Sequence, residues 1–333
     1  MAAVTEPVRL GLVGAGGIAR AYADLLASST LATCVGIAYV RPGAAAGLAG
    51  PLRCPAFSDA AHLTSVDGLE AIVICTPPVT HVGLATRFAR RGVHVLSEKP
   101  LALDRHAAAE MIAAADAAGV ILTMATKFRF CADVNRAAAL MAEGRVGGLR
   151  LVENAFTSRV DMANRWNADP AVSGGGVIAD NGPHSVDLVR HLLGPISEVL
   201  AVESSRPAGF VVEDTARLHL RTDAAVDAHV DLSWSIDKSL ADFIRIYGTL
   251  GEIRVGWRES AWREYGSDWE PFGTGYAKAL AMGGALDAFC RAVRGTGSLP
   301  VTADDALAAT TCIDAAYESL RRGAWAKLAE LED

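Results

Sequence analysis

Apolar positions along this chain fall into two textures. Through residue 125, short unbroken apolar runs alternate with longer stretches of helical spacing. Residues 8–13, 34–39, 71–75, 93–96 and 120–125 read as strands, and 20–27, 81–91 and 104–118 as helices. Continuous apolar runs, as opposed to alternating ones, are what a parallel sheet covered on both faces requires. Their alternation with helices predicts a doubly wound, Rossmann-type parallel sheet. From residue 126 the pattern changes. A helix over 133–143 is followed by a long strand over 149–159, a polar loop over 164–170, three glycines at 174–176, and a helix over 177–193 stopped by Gly194. Runs at 199–205, 215–221, 226–235, 243–247 and 252–257, with turns at Thr222-Asp223 and 248–251, predict a mostly antiparallel sheet. Helices over 278–294 and 303–321 close the chain. The expected fold class is α/β, with a dinucleotide-binding domain over 1–125 and an α/β domain with an open, mostly antiparallel sheet over 126–333.

Composition narrows the partners. With 51% hydrophobic and 21% charged residues among 333, the chain has material for two full cores. A net charge of -7 with dispersed Lys and Arg provides no basic stripe for a phosphate backbone, so nucleic acid is not an expected partner. No apolar run approaches the roughly 18 residues of a membrane span, and the first ten residues lack a signal-peptide pattern, so a cytoplasmic protein is expected. The six cysteines, Cys34, Cys54, Cys75, Cys131, Cys290 and Cys312, form no C-x-x-C pair and read as reduced, buried thiols. No metal site is expected.

Candidate chemistry sits at the ends of strands. The first strand runs into Gly14-Ala15-Gly16-Gly17-Ile18-Ala19, a G-x-G-x-x-A pattern opening a helix. Gly14 permits the turn, Gly16 lets a pyrophosphate approach the backbone, and Ala19 allows close helix-to-strand packing. Gly17 and Ile18 then offer helix-start N–H groups to phosphate. The second strand ends at Tyr39-Val40-Arg41, where an NAD-preferring site usually carries an acid for the ribose hydroxyls. Arg41 either pairs with a 2'-phosphate or is a solvated loop residue, so NAD and NADP both remain open. Thr76-Pro77-Pro78 ends the strand where a nicotinamide would lie, and His81 is either a contact to it or a surface residue at a helix start. The strand at 93–96 delivers Ser97-Glu98-Lys99-Pro100, placing Lys99 at the sheet's ligand-binding edge. In the second domain Asp180 and His184 are one turn apart on a helix, with Asp187 one turn further on the same face. They form either a coupled pair or a solvent-facing one. Trp166 lies in the polar loop before them. Trp257, Trp262 and Trp269 read as cover for the core or for a subunit contact.

The order and spacing of these elements resemble the family of glucose-fructose oxidoreductase, inositol dehydrogenase and MocA-type proteins. The residues that carry the resemblance are 14–19, Thr76-Pro77-Pro78 with His81, Glu98-Lys99-Pro100, Gly174-Gly175-Gly176 through Asp180, Gly182, His184 and Asp187, and Gly248-Thr249-Leu250-Gly251. The resemblance implies an NAD(P)-dependent dehydrogenase acting on a ring secondary hydroxyl of a sugar, cyclitol or aminoglycoside, or on the matching ketone. It makes Lys99, Asp180 and His184 the catalytic set. Gly14, Gly16, Gly17, Ile18, Tyr39, Arg41, Thr76, Pro77, His81, Glu98 and Lys99 would border the cofactor. Trp166 and Asn181 would join the catalytic residues around the substrate, although Asn181 departs from the apolar residue more usual in the family. It also implies a homodimer or homotetramer formed through the C-terminal sheet. Two rival functions on the same fold are a redox-type glycosidase that uses bound NAD transiently and a non-catalytic dinucleotide-binding regulator.

Overall fold

The computed structural model describes residues 6–41, 43–162, 165–206 and 209–331. Asn164 of the polar loop lies outside the described residues. The chain divides into two compact units, residues 1–126 with 282–307, and 127–281 with 308–333.

The first unit is built on strands β1 (Val8–Val13), β2 (Ala32–Ala38), β3 (Ala56–Phe57), β4 (Ala71–Ile74), β5 (His94–Ser97) and β6 (Leu122–Met124), interleaved with helices α1 (Gly17–Ser28), α2 (Ala44–Leu52), α3 (His81–Ala89) and α4 (Arg105–Ala118). The strands are all parallel, in the order β3-β2-β1-β4-β5-β6. The order reverses between β1 and β4, and in such sheets ligands bind beyond the carboxyl ends of the strands at that point. Local chemistry agrees with these bounds. Asp104 caps α4 by accepting the Ala107 N–H at 2.8 Å, and Gly119 ends it with a φ of 64°. Helix α2 was not predicted, because its sequence AAAGLAGPL is apolar throughout and shows no contrast between faces.

The second unit holds α5 (Ala132–Ala142), β7 (Leu149–Thr157), α6 (Pro170–Ser173) and α7 (Val177–Leu193). They are followed by β8 (Ile196–Glu203), β9 (Thr215–Thr222), β10 (Asp227–Ser233), β11 (Asp242–Gly248), β12 (Gly251–Gly256), β13 (Ser260–Glu264) and β14 (Glu270–Gly273). Helices α8 (Lys278–Val293) and α9 (Ala303–Arg322) and strand β15 (Ala326–Lys327) complete the chain. The nine-stranded sheet runs β14-β13-β12-β11-β7-β10-β9-β8-β15 and is antiparallel except where β7 pairs with β10. Alternate residues of β9 and β10 are buried, and α7 packs over β7, β9 and β10. The opposite face carries cross-strand pairs such as Arg217–Asp231 and His219–His229.

The expected division at residue 125, with everything after it in one domain, differs from the structure at one segment. Residues 282–307 belong to the first unit. Met282, Leu286, Phe289 and Cys290 of α8 sit in the same buried cluster as Leu10, Ile37, Tyr22 and Leu26. Burying a side chain such as Phe289 contributes roughly 1.5–3 kcal/mol. Arg294 then pairs with Glu70 at 2.6 Å and donates to the carbonyls of Glu6 and Pro7. Sequence order alone carries no sign of this return, because the apolar stripe of α8 would suit either core.

Candidate active site

In the first unit the site is framed at the switch point. Gly14 has a φ of 125°, and a Cβ there would lie 2.7 Å from the Cys75 carbonyl oxygen, so the turn brings the ends of β1 and β4 together only with glycine. The next two glycines are different. Gly16 and Gly17 are exposed, and a Cβ on either would meet nothing within 4 Å. Gly16 is the N-cap of α1 and supplies no side-chain hydrogen bond to the helix start. Bare N–H groups above a surface free of side chains match what a pyrophosphate needs, so the residues present fit a dinucleotide. At the end of β2 the Arg41 guanidinium lies 5.8 Å from the centre of the Tyr39 ring, and no acid occupies the turn.

Lys99 follows β5 and is half-buried. Beside it, the Glu98 carboxylate accepts the Lys99 N–H at 3.3 Å and faces the buried phenol of Tyr22 on α1. Burial first, and the Glu98 charge second, hold that phenol well above its ordinary pKa, so it stays a neutral hydrogen-bond donor.

His81 requires a correction. It is fully buried, which excludes a surface position. Its Nε2 lies 2.8 Å from the Thr76 carbonyl, its Nδ1 3.0 Å from that of Pro100, and the Ser97 hydroxyl 3.3 Å from Nδ1. Burial lowers its pKa against the opposing pull of these carbonyls. The ring ties the end of β4 to the segment after Lys99. The Thr76 hydroxyl is itself engaged, 2.6 Å from that of Thr80, which donates to the Pro77 carbonyl at 2.8 Å.

In the second unit α7 presents Asp180, half-buried, and His184, which is 6% exposed. A solvent-facing pair is thereby excluded. The His184 imidazole packs edge-on to Phe128, with ring centres 5.2 Å apart and planes at 80°, and more distantly to Phe156 at 6.5 Å. Asp187, one turn further along, is buried more deeply still. It is 1% exposed and its Oδ1 accepts from Arg129 Nε at 2.9 Å, a buried ion pair that ties α7 to the segment before α5. Asn181 is half-buried, and Trp166 lies 43% exposed in a single short turn before α6. Of the three tryptophans late in the chain, Trp262 is buried beneath Arg145, and Trp269 lies 4.6 Å from the guanidinium carbons of both Arg254 and Arg263. Trp257 is 39% exposed and packs on Phe243. Sequence reasoning missed Glu213 and Tyr317, which close the start of α7. The local trace of that closure is the pair Gly175 and Gly176, where a Cβ would collide with Tyr317 and Glu213.

Comparison with known proteins agrees with this architecture. Residues 8–126 match the oxidoreductase family NAD-binding Rossmann fold model, and residues 134–254 the GFO/IDH/MocA C-terminal domain model. The chain is 28% identical to an inositol 2-dehydrogenase of Rhizobium meliloti over 94% of its own length and 97% of that protein. It is 30% identical to a D-xylose 1-dehydrogenase (NADP(+)) of Haloferax volcanii over 85% of this chain and 88% of that one. The crystal structure of GenD2 from gentamicin A biosynthesis, in complex with NAD, superimposes with a TM-score of 0.84 at 25% identity, covering 97% of each chain. Among the described residues, no helix is long and apolar enough to cross a membrane. With both domain models matched in order across a Rossmann unit and a sheet-bearing second unit, the chain belongs to the GFO/IDH/MocA family of NAD-binding oxidoreductases.

Proposed function

We propose that this enzyme oxidises a ring secondary hydroxyl of a sugar, cyclitol or aminoglycoside, or reduces the matching ketone, with Lys99, Asp180 and His184 as its catalytic residues. The observation that carries the proposal is the burial of His184 against Phe128, one helical turn from Asp180. An imidazole one helical turn from a carboxylate is a residue type suited to proton transfer. In the oxidative direction His184 takes the hydroxyl proton. Asp180 orients the ring or binds a neighbouring hydroxyl. The Lys99 ammonium donates to the reacting oxygen and stabilises the negative charge that develops on it. When bound, the nicotinamide supplies the two-electron hydride acceptor. Asn181 and Trp166 are proposed substrate contacts, and the open sheet of the second unit a proposed surface for self-association.

The substrate range follows the relatives only in outline. The names of these relatives refer to inositol, D-xylose and gentamicin A biosynthesis, and two of the three carry NADP(+) or NAD. The acid-less turn at Tyr39 and Arg41 fits either cofactor. A panel of myo-inositol, D-xylose, levoglucosan and gentamicin-type aminoglycosides, each incubated with NAD and with NADP, tests the proposal through net formation of reduced nicotinamide. Glycoside cleavage without net reduction would instead support the redox-glycosidase reading. Replacing Lys99 by Ala should abolish turnover while cofactor affinity stays nearly constant. In His184→Gln the acid limb of the pH–rate profile should vanish; an unchanged limb would remove His184 as the base.

A further inference from the structure

Helix α7 begins with four N–H groups that have no partner inside the helix, as every α-helix does. Its N-cap is Gly176, which has no side chain to supply. Three of these donors, those of Gly176, Val177 and Ile178, nevertheless meet acceptors on one residue remote in sequence. Glu213 Oε1 accepts from Gly176 N and Ile178 N, each at 3.0 Å, and the Glu213 carbonyl accepts from Val177 N at 2.8 Å. The Tyr317 hydroxyl donates to Glu213 Oε1 at 2.7 Å and so holds that carboxylate in place. The next amide, that of Asp180, makes the first intrahelical bond, to the Gly176 carbonyl at 3.0 Å.

The glycines before α7 are shaped by this clamp. A Cβ on Gly175 would lie 1.8 Å from the Tyr317 hydroxyl, and one on Gly176 1.9 Å from the Glu213 carbonyl oxygen. Glu213 is 3% exposed, so its carboxylate is a built-in part of the helix start and not a surface charge that happens to lie nearby. A buried anion at a helix N-terminus gains from the helix dipole as well as from the hydrogen bonds.

We propose that Glu213 and Tyr317 are positioning residues for catalysis: together they hold the first turn of α7, and so fix the placement of Asp180 in that turn and of His184 one turn on. The inference rests on the reading of Asp180 and His184 as catalytic residues. Neither Glu213 nor Tyr317 is assigned contact with substrate or cofactor. Each acts through the helix.

The test compares Glu213→Ala, Glu213→Gln and Tyr317→Phe in the full-length protein. The amide side chain of Gln keeps an oxygen in the Oε1 position, so it should preserve the cap, whereas Ala removes it. Hydrogen exchange in residues 174–187 should accelerate about tenfold or more in Glu213→Ala, as expected for a lost cap, and stay within about threefold of wild type in Glu213→Gln. With the panel compound that wild type turns over, kcat in Glu213→Ala should fall by about ten- to a hundredfold while KM and cofactor Kd change little, because misplaced catalytic groups cost rate more than binding. Glu213→Gln should recover most of the loss. If Glu213→Ala fails to fold, Tyr317→Phe carries the same test, with a smaller increase in exchange confined to the same residues. Unchanged exchange at 174–187 in the Ala and Phe variants would overturn the clamp. Equal loss of kcat and of cofactor affinity in Ala and Gln alike would overturn the positioning role. Failure of the catalytic reading is seen separately, as His184→Gln retaining wild-type turnover while the exchange pattern still follows Glu213.

Discussion

The glycines at the starts of helices α1 and α7 do opposite work. At α1, Gly16 and Gly17 stand with open space where a Cβ would go, and the N-cap provides no side-chain acceptor. At α7, Gly175 and Gly176 are walled in by Tyr317 and Glu213, and Glu213 takes up the helix N–H groups while Tyr317 donates to it. The first helix start is left open, and the second is closed by the protein's own residues. A glycine run at a helix start therefore does not identify a phosphate site. What a Cβ would meet, and which groups accept the first N–H bonds, separates a binding cradle from an internal clamp.

The contrast is open to test by substitution, and the largest effect belongs at the closed end. Gly176→Ala would drive a methyl into the Glu213 backbone, and a stability loss of about 3 kcal/mol or more, or failure to fold, is expected in chemical denaturation. Gly14→Ala should follow, at about 2 kcal/mol or more, from a φ of 125° and a 2.7 Å approach to the Cys75 carbonyl. Gly16→Ala should leave the melting temperature within about 2 °C of wild type, since nothing in the protein is displaced, while cofactor affinity by calorimetry falls about tenfold or more from weakened phosphate contacts. A Gly16→Ala variant that unfolds with affinity intact would invert the comparison.

Acidification should also separate the two units, with a smaller effect. His81 and His94 are both held below their ordinary pKa, chiefly by burial, and His94 Nδ1 accepts the Ile121 N–H at 2.9 Å, which requires an unprotonated nitrogen. The unfolded chain then binds more protons than the folded one below about pH 6.5, so this contribution to stability is lost as pH falls from that value. Glu213 has the opposite sign. Burial raises its pKa above 4.5, so its contribution is complete below that pH and declines as pH rises through the raised value. Hydrogen exchange followed from pH 7.5 to 5.5 should show β5 and β6 loosening while the first turn of α7 holds or tightens. His94→Asn should flatten the response of β5.

Much of the architecture was readable before any coordinates. Helix α7 spans 177–193 in both readings, because its apolar spacing is regular and a glycine stops it. Strands β1, β4 and β5 were visible as unbroken apolar runs, since burial on both faces leaves no polar position to confuse the period. Strands β13 and β14 were not. Ser260–Glu264 and Glu270–Gly273 are short, and one carries a proline, so nothing local marks them as strands. His81 shows the same boundary for sites. Its position after Thr76-Pro77-Pro78 was legible, but its burial depends on carbonyls from Pro100 and Leu101, about twenty residues away.

What this chain determined by itself was therefore what rests on local period and turn chemistry: the Rossmann alternation, the first glycine turn, and the helical spacing that puts Asp180 and His184 one turn apart. The tertiary structure alone decided which core claims α8, that Asp187 is held by Arg129, and that Glu213 and Tyr317 cap α7. These depend on contacts between residues far apart in the chain, from 35 positions for Ile178 and Glu213 to 288 for Glu6 and Arg294, and no window of sequence carries them.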